Sequence, residues 1–160
     1  MLKKLFLLAV LLATASAATA QADCSKPVLK LLHNGEEISA AGSALFLLVR
    51  LQILSEPECP DQVSYRARNA ELTLVRGGRP LMPTILVRQP QVDMRPWMNT
   101  YQPGDHINVF IAYENLIVVS ADGQQRPYVK PLPKLSKFPH FDLRTDDSKG
   151  ISFTWRLVQK

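Results

Sequence analysis

Ile151-Ser152-Phe153-Thr154-Trp155-Arg156-Leu157 alternates large apolar with polar side chains without a break. That is the two-residue period of a strand, because successive side chains leave an extended backbone on opposite faces. Ile151, Phe153, Trp155 and Leu157 therefore share one face, and Ser152, Thr154 and Arg156 share the other. One dry face and one wet face is the signature of a half-buried antiparallel strand. The same rhythm recurs upstream. Ala70, Leu72 and Leu74 alternate with Glu71 and Thr73, and Ile107, Val109 and Ile111 alternate with Asn108 and Phe110.

Turn signals separate these runs: Asn34-Gly35, Gly77-Gly78, Pro103-Gly104-Asp105, Asp122-Gly123 and Lys149-Gly150. Twelve prolines disfavour long helices. Short strands spaced by hairpin signals predict an all-β protein, an immunoglobulin-like antiparallel β-sandwich in a single domain. Ala44 to Leu54, ALFLLVRLQIL, is almost continuously apolar. As a strand it puts Leu45, Leu47, Val49, Leu51 and Ile53 on one face and Phe46, Leu48, Arg50, Gln52 and Leu54 on the other. Its length also suits a buried helix, and periodicity alone does not choose. Met94 to Tyr101 has room for one helical turn. Residues 131–150, with Pro131, Pro133, Pro139 and the charged Asp146-Asp147-Ser148-Lys149, read as an irregular loop or an edge strand around Phe141 to Leu143.

The N-terminus carries a different message. Lys3 and Lys4 precede an apolar run from Leu5 to Leu12, and small-residue triplets follow at Ala18-Thr19-Ala20 and Ala20-Gln21-Ala22. This pattern predicts a cleaved signal peptide over 1–22 and a mature domain over 23–160, periplasmic or secreted. The apolar run is much shorter than the ~20 residues that cross a bilayer, so no transmembrane segment is expected after cleavage. Cleavage leaves 17 basic and 14 acidic residues, a mild net charge of +3. Nucleic acid is an improbable partner for an exported chain of this charge. Cys24 and Cys59 are the only cysteines, and an oxidising compartment favours pairing them in a disulfide. The bond would close a loop of ~36 residues and contribute about 4 kcal/mol by loop entropy. Lipid modification of Cys24 is disfavoured because Gln21 and Asp23 do not suit a lipoprotein processing site. A redox role is disfavoured because no Cys-x-x-Cys spacing exists.

Catalytic constellations are scarce. There is no Gly-x-Ser-x-Gly elbow, His-Glu-x-x-His or phosphate-cradling glycine loop. His33, His106 and His140 lie far apart near turns and read as solvated rather than as metal ligands. Asp105-His106 is half of a catalytic triad without a nominated nucleophile. The expectation is no enzyme, no metal and no cofactor. Basic residues gather from Arg66 to Arg95, against Glu71 and Asp93 alone. Within that stretch Arg76, Arg79 and Arg88 are the candidate contacts for an acidic partner, unless they merely form a solvated face. Trp97 and Tyr101 are candidate apolar anchors of an interface, or stacking platforms of a carbohydrate-binding module, unless they plug one end of the sandwich.

Three segments in order, Ala70-Glu-Leu-Thr-Leu-Val-Arg-Gly-Gly-Arg-Pro-Leu81, Pro103-Gly-Asp-His-Ile-Asn-Val-Phe110 and Ala121-Asp-Gly-Gln-Gln-Arg-Pro-Tyr128, carry a resemblance. Over about 60 residues the chain resembles the C-terminal β-domain of the periplasmic shaft protein of gliding motility and type IX secretion, through its order of strands and turns. It departs from that family in its cleavable signal and in the tail from Leu132 to Lys160. The resemblance implies a non-catalytic envelope domain that binds another envelope or secretion-system protein, and it transfers no site residues. The expected function is that of an exported interaction domain. A small secreted hydrolase or lyase using Asp105 and His106 is the alternative from another class.

Overall fold

A computed structural model describes residues 27–55, 63–120, 122–130 and 149–159. The signal segment, Cys24, Cys59 and residues 131–148 lie outside the described residues, and with them the disulfide and the loop or edge strand expected there. The strands in chain order are β1 (Pro27–His33), β2 (Glu36–Glu37), β3 (Ser43–Ala44), β4 (Leu48–Ser55), β5 (Ser64–Ala67), β6 (Ala70–Arg76), β7 (Arg79–Pro80), β8 (Ile85–Val87), β9 (Gln91–Asp93), β10 (His106–Ala112), β11 (Leu116–Val119), β12 (Gln125–Pro127) and β13 (Gly150–Gln159). Single 3-10 turns occupy Arg95–Trp97, within the expected helical turn, and Tyr113–Asn115.

The protein is all-β, with antiparallel sheets packed together as a sandwich. One sheet has the order β2-β1-β4-β9, a second the order β3-β13-β10-β6-β7 with β8 also paired to β6, and a third the order β12-β11-β5. One pairing departs from the antiparallel expectation: β3 runs parallel to β13, at Leu157↔Ser43. Asn34 and Gly35 both have positive φ, 51° and 89°, and Gly77 and Gly78 repeat this at 55° and 79°. Two consecutive positive φ values match the right-handed strand twist, and so these dipeptides close β1 onto β2 and β6 onto β7.

Alternation decides the layers. Val109 lies opposite Leu72 on one side and Phe153 on the other, and Ile107 lies between Leu74 and Trp155. Leu72, Leu74, Ile107, Val109, Ile111, Trp155 and Leu157 are fully buried, facing Leu31 and Val49 of the first sheet in one apolar cluster. The ambiguous segment is a strand from Leu48 onward, and only one of its faces is dry: Val49, Leu51 and Ile53 are buried while Leu48 and Leu54 are exposed. The alternation does not extend back through Leu45, which is buried, to Leu47, which is exposed, because the chain bends between β3 and β4.

Gly150 opens β13 where Phe110 and the Ile111 carbonyl leave no room for a Cβ. Gly150→Ala is expected to cost about 1–2 kcal/mol by overpacking. Its unfolding midpoint in urea, compared with that of the wild type, checks this; an unchanged midpoint would mean that Phe110 and the β10 backbone yield freely.

Candidate functional site

β1 covers one edge of β4 from Pro27 to Leu32. On the other edge β9 pairs only with Leu48 to Arg50, and the Leu51 N–H donates to the Pro90 carbonyl at 2.7 Å. Beyond Leu51 the chain after β8 has turned away, so from Gln52 to Ser55 this edge of β4 has no ladder partner among the described residues. A groove of about 1010 Å³ opens there, with β4 on one wall, β5 on the other and Val87 to Pro90 at its side. A smaller hollow of about 400 Å³ adjoins it through Arg50 and Pro90.

The groove narrows to a clamp at one end. Ser55 Oγ donates to the Val63 carbonyl at 3.0 Å and accepts from the Val63 N–H at 3.1 Å, so one hydroxyl does the work of a ladder partner between β4 and β5. Burial of Ser55 is satisfied by these two bonds. Leu51, Ile53, Ala67, Ala70 and Val87 form the apolar floor. The rim is basic: Arg50 projects from the wet face of β4, Arg66 from that of β5, and Arg88 follows β8. None of these three guanidinium groups has an ion-pair partner among the described residues. Lys30 and Glu37 also reach the rim, but they pair with each other at 2.6 Å, leaving the excess charge positive.

The arginines expected from sequence thus divide. Arg88 lies in the groove, whereas Arg76 and Arg79 face each other across the β6–β7 hairpin. Arg79 is exposed, and Arg76 is spent inside the molecule: its Nε and Nη2 donate to the two carboxylate oxygens of Asp105 at 2.7 and 2.8 Å. Arg76 is therefore corrected from a partner contact to a structural cation. Arg50 and Arg66 line the groove instead. Arg66 belongs to the basic run already noted; Arg50 was masked by its apolar neighbours, although its lone charge at a wet position of a strand pattern was a usable signal.

Trp97 and Tyr101 are also corrected. They are 1% and 3% exposed, so neither ring offers a face to a sugar or a partner protein. The 3-10 turn that holds Trp97 is closed by bonds from Trp97 N–H to the Met94 carbonyl and from Met98 N–H to the Arg95 carbonyl, and Thr100 and Tyr101 N–H then both donate to the Trp97 carbonyl, a double turn that leaves both rings in the apolar core.

Asp105 cannot serve as a triad carboxylate in this arrangement. Both its oxygens accept from Arg76, and Oδ2 also accepts from the Gln102 N–H at 2.7 Å. The hydrogen bonds from Arg76 hold its carboxyl below the ordinary range against the opposing cost of burial, with Gln102, the Arg76 charge and His106 as smaller contributions. His33 stacks on Phe46 at 4.0 Å, with Nδ1 donating to the Leu48 carbonyl and Nε2 accepting from the Asn34 amide. Among the described residues no three His, Cys, Asp or Glu side chains converge to hold a metal ion, and no helix is long and apolar enough to cross a membrane. His140 lies outside the described residues.

No family model matches the chain, and neither a curated protein nor a solved structure is detectably similar to it.

Proposed function

We propose that this chain is an exported, non-catalytic interaction domain of the bacterial envelope, and that it binds an acidic segment of another envelope or secretion-system protein in the groove between β4 and β5. The groove carries the reading: three arginines with no ion-pair partner among the described residues surround an apolar floor, and that combination attracts an anionic polypeptide and then buries part of it. Export is supported by the order of charge, apolar run and small residues over Met1 to Ala22. The resemblance of residues 70–128 to the gliding-motility shaft domain supports the envelope as the setting. A structural rather than catalytic use of titratable groups is supported by Asp105, whose oxygens are already engaged by Arg76 and Gln102.

In-cell photo-crosslinking tests this. A photoreactive residue at Gln52, on the groove wall, is expected to capture a discrete partner, and one at Arg79 is not. Arg50→Ala, Arg66→Ala and Arg88→Ala together are expected to lower the yield about tenfold, the loss of three solvent-exposed charges that attract the partner, and raised salt is expected to act in the same direction by screening them. Equal capture from both positions, unaffected by the triple variant, would remove the groove from the function.

A further inference from the structure

We infer that two copies of this chain join antiparallel along β9, edge to edge, on a two-fold axis that passes beside Val92. The inference does not rest on the groove reading; it concerns the outer edge of the first sheet.

β9 closes that sheet, with β4 on one side and no strand on the other, and the chain around it is described without a break from residue 63 to residue 120. Two bonds fix the direction of its peptide groups. Leu51 N–H donates to the Pro90 carbonyl at 2.7 Å and Met94 N–H donates to the Leu47 carbonyl at 2.9 Å, so the even-numbered residues of this segment turn their backbone groups toward β4. By the strand period, the N–H and C=O of Gln91 and Asp93 point outward. None of those four groups has a hydrogen-bond partner among the described residues. Both side chains are exposed, while Val92, 3% exposed, anchors the strand in the core. Pro90 does not interrupt the outward row, because its missing N–H lies on the β4 side. Such a row is a template for pairing with another chain.

The residues name the partner. Paired antiparallel about Val92, β9 is complementary to itself: Gln91 stands opposite the partner's Asp93, Val92 opposite the partner's Val92, and Asp93 opposite the partner's Gln91. The two outer pairs each exchange both backbone bonds, and every bonding group belongs to β9. On the exposed face an amide meets a carboxylate in both pairs, and no like charges are opposed. The joined sheet extends this match, since Arg50 of β4 lies opposite Gln91. Arg50 has no ion-pair partner among the described residues, and it shares a row with the partner's Asp93, about 10 Å away across Gln91. Neighbouring registers are poorer. Centring the pair on Asp93 opposes two carboxylates, and centring it on Gln91 sets Asp93 against Gln89, which lies outside β9. The contact is isologous, so it closes at two copies.

Sedimentation equilibrium of the purified mature protein between about 10 μM and 1 mM reads the association, which so short an edge keeps weak. A dimer is expected, and by NMR the amides of Gln91 and Asp93 are expected to exchange about fivefold more slowly in concentrated than in dilute solution. Gln91→Lys, which faces the partner's Asp93, is expected to raise the association constant about fivefold, and Gln91→Asp to lower it about as much. Wild-type melting of both variants in dilute solution shows that the changes are not unfolding. A protein that stays monomeric throughout the range overturns the inference. Weakening by both substitutions would mean that Gln91 faces its own copy, which overturns the register about Val92. A dimer that ignores both substitutions, or in which the two amides exchange as in the monomer, lies on another surface and overturns the inference as well.

Discussion

Trp155→Ala is expected to destabilise the mature protein by about 3–5 kcal/mol, the cost of removing a large buried aromatic from a core that collapses only partly around the gap. Trp155 is 0% exposed at the centre of β13, opposite Ile107, with its ring stacked on Phe46 at 5.8 Å between centroids. Its indole N–H donates to Ser43 Oγ at 2.9 Å, which ties β13 to the parallel strand β3. Alanine therefore leaves both a cavity and a hydroxyl without its donor. Trp155→Phe keeps most of the volume and is expected to lose less. Equilibrium urea unfolding reads both; a loss under about 1 kcal/mol for alanine would place the strand at the periphery.

The Asp105 carboxylate supplies the second large effect. Asp105→Ala is expected to cost about 2–3 kcal/mol, because it orphans the Gln102 N–H and removes the charged acceptor of two arginine hydrogen bonds. The effect carries a pH signature. Its folded pKa lies below the unfolded value, so the stabilisation is fully present above the ordinary carboxylate range, near pH 4, and is lost as pH falls through the lower folded pKa. Asp105→Asn is expected to flatten the acid limb of stability below the ordinary carboxylate range, and Asp93→Asn is expected to change it little. Asp93 also has a lowered pKa beside Arg95, but that pair is open to solvent and screened. Acid melts of the three proteins decide the matter; parallel limbs would mean that Asp105 is already partnered in the unfolded chain.

These two side chains show why the candidate site moved. Arg76 and Asp105 lie 29 residues apart, and their pairing exists only because β6 and β10 are neighbours in one sheet. A basic run in sequence cannot separate a cation bound to an internal carboxylate from one left for a partner. The groove likewise depends on where β9 stops along β4, which is a property of strand lengths after folding.

Residue order alone determined the periodic parts of this protein: β13 from Ile151 to Leu157, β6 from Ala70 to Leu74, β10 from Ile107 to Ile111, and the Asn34-Gly35 and Gly77-Gly78 hairpins. Each depends on local rules, a two-residue period for a half-buried strand and a positive φ for a tight turn, that need no knowledge of the neighbours. Tertiary structure alone decided that ALFLLVRLQIL is a strand only from Leu48, that Trp97 and Tyr101 are buried in the core, and that Arg50, Arg66 and Arg88 meet around one groove. Burial and ion pairing are relations between distant segments, so they arise only when the sheets pack.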